Sequence, residues 1–303
     1  MSILVTGGAG FIGSHIVDSL ISEGHDVIVL DDLSEGKREH VNKSAKFYKS
    51  GLNDAGLGKI FQKEKIEVVF HQAAQVSVRE SLDNPIFDAD VNIKGTINLL
   101  ECCREVDKII YASSGGAVYG EPKYLPVDEE HPTNPLSPYG VSKYIAEKYL
   151  QVYKELYGLN YAALRYGNVY GPRQDPYGEA GVVAIFANKM LRSERPMING
   201  DGTQTRDFVY VSDIVRANLL AIERGKNIYN ITAGKETSVN EIFAAIKKIL
   251  NTNVEPEHAP PIKGEVRRIY LNIEKAEREL GWKPEVELEE GIKNLLEYMR
   301  QKI

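Results

Sequence analysis

Cysteine is nearly absent from this 303-residue chain: there are two, Cys102 and Cys103, and they are adjacent. Neighbouring cysteines are poor disulfide partners, and no further thiol exists to build a disulfide framework or a zinc site. Basic blocks are missing as well. Lysine and arginine number 37 against 43 aspartate and glutamate, a net charge of −6, which argues against an electrostatic nucleic-acid binder. No apolar run approaches membrane-spanning length, and Met1 leads straight into a strand-like segment. The expectation from these absences is a cytoplasmic chain with no metal, no nucleic acid and no membrane contact. A hydrophobic content of 43% and a charged content of 26% are ordinary for a globular protein, and the length suffices for one large core or two linked ones.

The informative stretch comes first. Ile3-Leu4-Val5 is a short apolar run that stops at Gly7-Gly8-Ala9-Gly10, and Phe11 to Glu23 then shows helical spacing. Val27-Ile28-Val29-Leu30 is a second β-rich run, ending in Asp31-Asp32. Gly7, Gly10 and Gly13 stand at G-x-x-G-x-x-G spacing. A turn without side chains lets backbone N–H groups and a helix N-terminus, here Phe11 and Ile12, approach a pyrophosphate. A carboxylate closing the second strand accepts the ribose hydroxyls of an adenosine, and Asp31 would repel a 2′-phosphate, so NAD is preferred over NADP. Lys37 and Arg38 in the next loop are the counter-evidence. Val68 to Phe70 reads as a buried strand ending at His71-Gln72-Ala73-Ala74, where Ala73 and Ala74 permit close approach of a ligand and His71 reads as structural.

Strands alternate with helices through residue 166, which calls for an α/β fold with a doubly wound parallel sheet, Rossmann-like. Past Arg173 the rhythm changes. The expected division is a dinucleotide-binding domain over 1–169 and a smaller α/β substrate-binding domain over 170–303, with elements in 207–229 returning to the first sheet. Tyr139 and Lys143, four apart at the start of a helix, share a face, so the lysine is placed to lower the phenol's pKa. Ser114, with Ser113 as the register alternative, ends the preceding strand and would bond the same substrate oxygen.

These motifs, with Gly200-Asp201-Gly202 before Arg206-Asp207-Phe208 and the closing Leu280-Gly281-Trp282-Lys283-Pro284, resemble the extended short-chain dehydrogenase/reductase family, more narrowly its UDP-glucose 4-epimerase type. The resemblance spans essentially the whole chain. It implies bound NAD, a UDP-hexose substrate, a homodimer, and Ser114, Tyr139 and Lys143 as catalytic residues. It places Asp32, Lys37, Leu52, Asn92 and Tyr166 on the cofactor, with Tyr166 near the nicotinamide. On the substrate it places Gln75, Asn168, Val182, Asn199 and Arg206, with Asn168 and Arg206 holding the diphosphate. Several positions depart from the family pattern. Gly115-Gly116-Ala117 is one residue longer than the usual spacer before Val-Tyr-Gly. An aromatic that stacks on uracil is replaced by Asn199, and a phosphate-binding arginine is replaced by Ile262, leaving Lys263 or Arg267 to substitute. The sister 4,6-dehydratases need an Asp-Glu pair after the catalytic serine, which is absent here. An isoleucine at 269, where relatives place a bulky tyrosine, implies room for N-acetylated sugars. A non-catalytic NAD-sensing regulator is the competing reading, and the intact Ser114/Tyr139/Lys143 set speaks against it.

Overall fold

Apolar runs bounded by glycine and polar turns become strands, and the amphipathic segments between them become crossover helices. The computed structural model describes residues 1–177, 181–261 and 266–302. Its strands are β1 (Ser2–Thr6), β2 (Asp26–Asp31), β3 (Lys46–Lys49), β4 (Val68–His71), β5 (Lys108–Ser114), β6 (Asn160–Tyr166), β7 (Asn168–Tyr170), β8 (Met197–Asn199), β9 (Thr205–Arg206), β10 (Phe208–Tyr210), β11 (Asn227–Ile231), β12 (Thr237–Ser238) and β13 (Glu257–Ala259). The helices are α1 (Phe11–Ser22), α2 (Leu57–Glu64), α3 (Val78–Asp83), α4 (Pro85–Ala89), α5 (Gly95–Cys102), α6 (Pro138–Tyr157), α7 (Val182–Leu191), α8 (Val211–Arg224), α9 (Val239–Leu250), α10 (Glu274–Leu280) and α11 (Leu288–Arg300).

Seven strands form one parallel sheet in the order β11-β6-β5-β4-β1-β2-β3. The order reverses between β1 and β4, and a ligand crevice opens at the carboxyl ends of strands at such a switch point. Side chains alternate across the sheet. Ile3 and Val5 join Ile16, Val17 and Leu20 of α1 and Ile214 of α8 on one face. Leu4 joins Leu57 of α2, Leu99 and Leu100 of α5 and Leu150 of α6 on the other. Full burial of each such side chain contributes roughly 1.5–3 kcal/mol. A further cluster, with Phe186 of α7, Ile242 and Ile246 of α9 and Leu295 of α11, packs the later helices together. β11 pairs with β6 at the sheet edge, so residues well past 170 complete the first sheet.

Two helices matter for the site. Ser137 caps α6, its hydroxyl accepting from Gly140 N at 3.1 Å, and Pro138 occupies the first turn. Tyr139 is therefore in the first turn and Lys143 one turn on. From Pro85 to Cys102 the helical backbone is continuous but not uniform: between α4 and α5, Asp90–Lys94 forms a π-helical turn. The widened turn shifts the side-chain phase of α5 relative to α4 and brings Asn92 inward, 3% exposed. Among the described residues no helix is long and apolar enough to cross a membrane.

Candidate active site

The glycine turn is built for close approach. Gly7 has φ +68°, and a Cβ there would lie 2.6 Å from the Ala73 nitrogen. A Cβ on Gly13 would meet the Gly7 carbonyl oxygen at 2.2 Å, so helix and turn touch at backbone distance. Gly10 donates to Gly7 O at 3.1 Å and caps α1 without any side-chain hydrogen bond. The positive end of α1, at Phe11 and Ile12, is thus left for an anion. Asp31, 7% exposed, closes the crevice: Oδ2 accepts from Ala9 N at 2.9 Å and Oδ1 from Leu33 N at 2.8 Å. Burial raises its pKa and the two backbone hydrogen bonds oppose the rise. Each oxygen keeps a second lone pair for a ribose hydroxyl. The cradle and its carboxylate fit the diphosphate and adenosine ribose of a dinucleotide without a 2′-phosphate. Asp32 is exposed and accepts from Ser34 N at 2.9 Å. Lys37 reaches the turn through its backbone, donating to Ala9 O at 3.0 Å, while its ammonium pairs with Asp175 at 3.2 Å.

Under the crevice runs a chain of neutral hydrogen bonds. Ala73 N donates to Thr6 Oγ1 at 3.2 Å, and Thr6 Oγ1 lies 2.9 Å from His71 Nδ1. His71 Nε2 lies 2.9 Å from Thr96 Oγ1, which donates to Asn92 O at 2.7 Å. Because Thr96 uses its proton on Asn92, it accepts from His71, and the chain is satisfied only with the imidazole neutral. Burial lowers the His71 pKa to about 3, the Lys143 charge adding to the effect. Asn92 clamps the turn after β4: Oδ1 accepts from Gln75 N and Nδ2 donates to Gln75 O, each at 2.9 Å. Ala73 and Ala74 stay half-buried at the crevice. Leu52 packs in the core cluster against α5, where a Cβ on Gly95 would lie 3.0 Å from Leu52 Cβ.

Two further residues expected at the site are held by partners within the chain. Gln75 is 8% exposed: its Nε2 donates to Ser77 O at 2.9 Å and Asp88 Oδ1 at 3.2 Å, and its Oε1 accepts from Ser77 N. Tyr166 turns its ring into the α1/α8 core, 6% exposed, with its hydroxyl accepting from Asn218 Nδ2 at 2.7 Å. Burial pushes that phenol up to about 12.

Ser114, Tyr139 and Lys143 converge at the end of β5. Ser113 is committed elsewhere: its hydroxyl donates to Glu147 Oε1 at 2.5 Å, and Glu147 is bound in a two-point pair to Arg165, at 2.9 and 2.6 Å. Ser114 is half-buried and hydrogen-bonded to the Tyr139 phenol. Lys143, 4% exposed, donates to Ala112 O at 3.0 Å, with its ammonium 5.8 Å from the Tyr139 ring centre. The expectation that lysine lowers the phenol is not what this geometry gives. Burial pushes Tyr139 up to about 12, the Ser114 hydrogen bond opposing it and the Asp88 charge adding to it. Burial likewise brings Lys143 down to about 8, against the attraction of Asp88. A phenolate at neutral pH therefore requires positive charge beyond that of Lys143. Sequence reasoning missed Glu147, although 139, 143 and 147 lie on one helix face at i, i+4, i+8.

On the substrate side, Asn168 follows β6 after Gly167, donates its N–H to Asp207 O at 2.7 Å and pairs with Phe208. Gly116, above Ser114, lies beside it, with a Cβ position 3.8 Å from Asn168 Oδ1. Arg206 is half-buried on β9, adjoining the same strand pair. Arg267 is brought beside the Gly200-Asp201-Gly202 turn, donating to Thr203 Oγ1 at 3.3 Å. Asn199 ends β8, its carbonyl accepting from Gln204 Nε2 at 2.9 Å, and half-buried Val182 opens α7. Ile262 and Lys263 lie outside the described residues. Ile269 is 3% exposed, packed among Val118, Tyr119, Val127 and Leu271.

The sequence model of the family described as GDP-mannose 4,6 dehydratase matches residues 4–295. The putative UDP-glucose 4-epimerase of Methanocaldococcus jannaschii is 57% identical over 300 residues, covering 98% of each chain. The crystal structure of Thermotoga maritima UDP-glucose 4-epimerase with UDP-glucose superposes with a TM-score of 0.98 at 52% identity, over 100% of this chain and 99% of that one. The Thermus thermophilus UDP-glucose 4-epimerase in complex with NAD gives a TM-score of 0.94 at 44% identity, over 100% of both. With its glycine cradle, terminal Asp31 and Ser114/Tyr139/Lys143 centre, the chain belongs to the extended short-chain dehydrogenase/reductase family, in its UDP-glucose 4-epimerase branch.

Proposed function

We propose that the protein is an NAD-dependent 4-epimerase of nucleotide sugars that interconverts UDP-glucose and UDP-galactose through a 4-keto sugar. The observation that carries this reading is the Ser114/Tyr139/Lys143 centre beside a spacer, Gly115-Gly116-Ala117, that holds no acid or base. The nearby carboxylates do not fill that gap: Glu147 is bound to Arg165 and Ser113, and Asp88 to Asn92 and Ser142. Elimination of water or decarboxylation needs further proton-transfer groups, whereas 4-epimerisation needs one.

Asp31, the glycine turn and the α1 N-terminus hold the cofactor. When bound, oxidised NAD supplies the acceptor for the C4 hydrogen and a positive ring charge that favours the Tyr139 phenolate. Tyr139 takes the proton of the sugar 4-hydroxyl as C4 is oxidised, and Ser114 holds the same oxygen. Asn168, Arg206 and Arg267 anchor the diphosphate, a task suited to guanidinium groups. The sugar, gripped through its nucleotide, turns its other face, and Tyr139 returns the proton when the hydrogen comes back. The test is isotopic. UDP-glucose deuterated at C4 should yield UDP-galactose with the deuterium retained; loss of label to solvent would contradict the reading.

We also propose a homodimer formed through α3, α4 and α6. On α6, Leu150 and Tyr153 belong to the core, at 0% and 6% exposure. Val141, Val152 and Leu156 of the same helix are exposed, with Leu82 and Ile86 from the neighbouring helices, making a broad apolar face. The cytoplasm is the proposed compartment, in keeping with two free thiols.

A further inference from the structure

Asp88 is a fully buried carboxylate that the mechanism above does not use, and it stands at the crossing of three elements that do. Its Oδ1 accepts from Asn92 Nδ2 at 3.0 Å and from Gln75 Nε2 at 3.2 Å. Its Oδ2 accepts from the hydroxyl of Ser142, the residue between the first turn of α6 and Lys143. One side chain thus ties the π turn that carries Asn92, the turn after β4 and the helix that carries Tyr139 and Lys143. The amide of Asn92 is oriented by it, since Nδ2 toward Asp88 leaves Oδ1 to accept from Gln75 N.

We propose that Asp88 is a positioning residue for the Tyr139–Lys143 centre, acting through Ser142, Asn92 and Gln75 and keeping a negative charge beside the Lys143 ammonium. The role rests on Tyr139 and Lys143 being the reactive pair. An asparagine of the same shape shows what would be lost. It carries no charge and presents an N–H₂ where either Ser142 or the two amides require an acceptor. The other groups facing Lys143 do not replace it. Tyr111 from β5 offers a ring at 5.1 Å, Ala112 a carbonyl, Tyr139 a phenol on the same helix, and His71 from β4 is neutral. Glu147 is held by Arg165. Asp88 is also the opposing charge that keeps burial from lowering Lys143 further than about 8.

The test reads Lys143 directly, by NMR titration of lysine-labelled protein with the resonance assigned through Lys143→Arg. In Asp88→Asn the Lys143 midpoint should fall by about one pH unit, as expected for removal of a close opposite charge. A midpoint equal to wild type overturns the proposal. Ser142→Ala keeps the charge and removes only one small hydroxyl, so it serves if Asp88→Asn does not fold. It should leave the midpoint in place and lower kcat for UDP-glucose roughly tenfold, the effect of losing a hydrogen bond to a charged group, with KM unchanged. An unaltered kcat in Ser142→Ala counts against positioning. If wild type shows no epimerisation, the functional reading fails while the titration still decides the role of Asp88.

Discussion

Lys143 Nζ donates to the main-chain oxygen of Ala112 at 3.0 Å, tying the helix of Tyr139 to the strand that ends in Ser114. The reactive phenol and its serine partner are therefore held by a side chain one turn below them. Tyr139→Phe removes the proton carrier and leaves this tie intact. Turnover should fall by ~10²–10⁴, the range for a general acid–base group, with NAD binding nearly unchanged. Lys143→Ala should impair both turnover and cofactor binding. Epimerase rates near wild type in Tyr139→Phe would rule out the phenol as the proton carrier.

His71 predicts a pH dependence of stability. The imidazole is lowered from 6.5 to about 3 by burial, so between those values the unfolded chain binds the extra proton. A base whose folded pKa is depressed loses stability as pH falls through its unfolded pKa. The slope is up to about 1.4 kcal/mol per pH unit. Relative to His71→Gln, wild type should lose stability from about pH 6.5 downward, read from urea midpoints at several pH values. Parallel pH profiles for the two proteins would show that His71 is not held neutral.

Much of the chemistry was legible because it is local. The glycine turn, Asp31 and the Tyr139–Lys143 pair each lie within one βαβ unit or one helix turn, where spacing alone reports geometry. What the sequence did not show depends on partners far along the chain. Ser113 meets Glu147 across 34 residues, which occupies its hydroxyl, and Ser142 meets Asp88 across 54. Gln75 sits at the expected turn, yet its amide is taken by Ser77 and Asp88. Ile269 has the pattern of a pocket residue, but Tyr119 and Leu271 close around it. The helices α2, α3, α8 and α10 carry weak local signals. Three of them are short, and α8, though amphipathic, follows directly on β10 with no side-chain cap to announce it.

Arg206 is the expected anchor of the diphosphate. Arg206→Ala should raise KM for UDP-glucose by roughly 10- to 100-fold, equivalent to about 1.4–3 kcal/mol for a hydrogen bond to a charged group. Binding of NAD alone should be unaffected. Steady-state kinetics beside an NAD titration separate the two. A variant with unchanged KM would remove Arg206 from the substrate site.

The apolar face along α4 and α6 predicts assembly. Ile86, 81% exposed, and Leu156, 67% exposed, would otherwise stand in water. Sedimentation at micromolar protein should give a dimer mass for wild type. The double substitution Ile86→Asp/Leu156→Asp should shift it to the monomer without lowering the unfolding temperature of the fold itself. A wild-type monomer would contradict the proposed face.

The central claim is C4 epimerisation with no external reductant. The direct measurement is proton NMR of purified protein incubated with UDP-glucose, and separately with UDP-galactose. The account predicts that both reactions reach the same mixture of the two C4 epimers, without added reductant and without any 6-deoxy-4-keto product. Unchanged substrate in both tubes, or a product that has lost water, would contradict it.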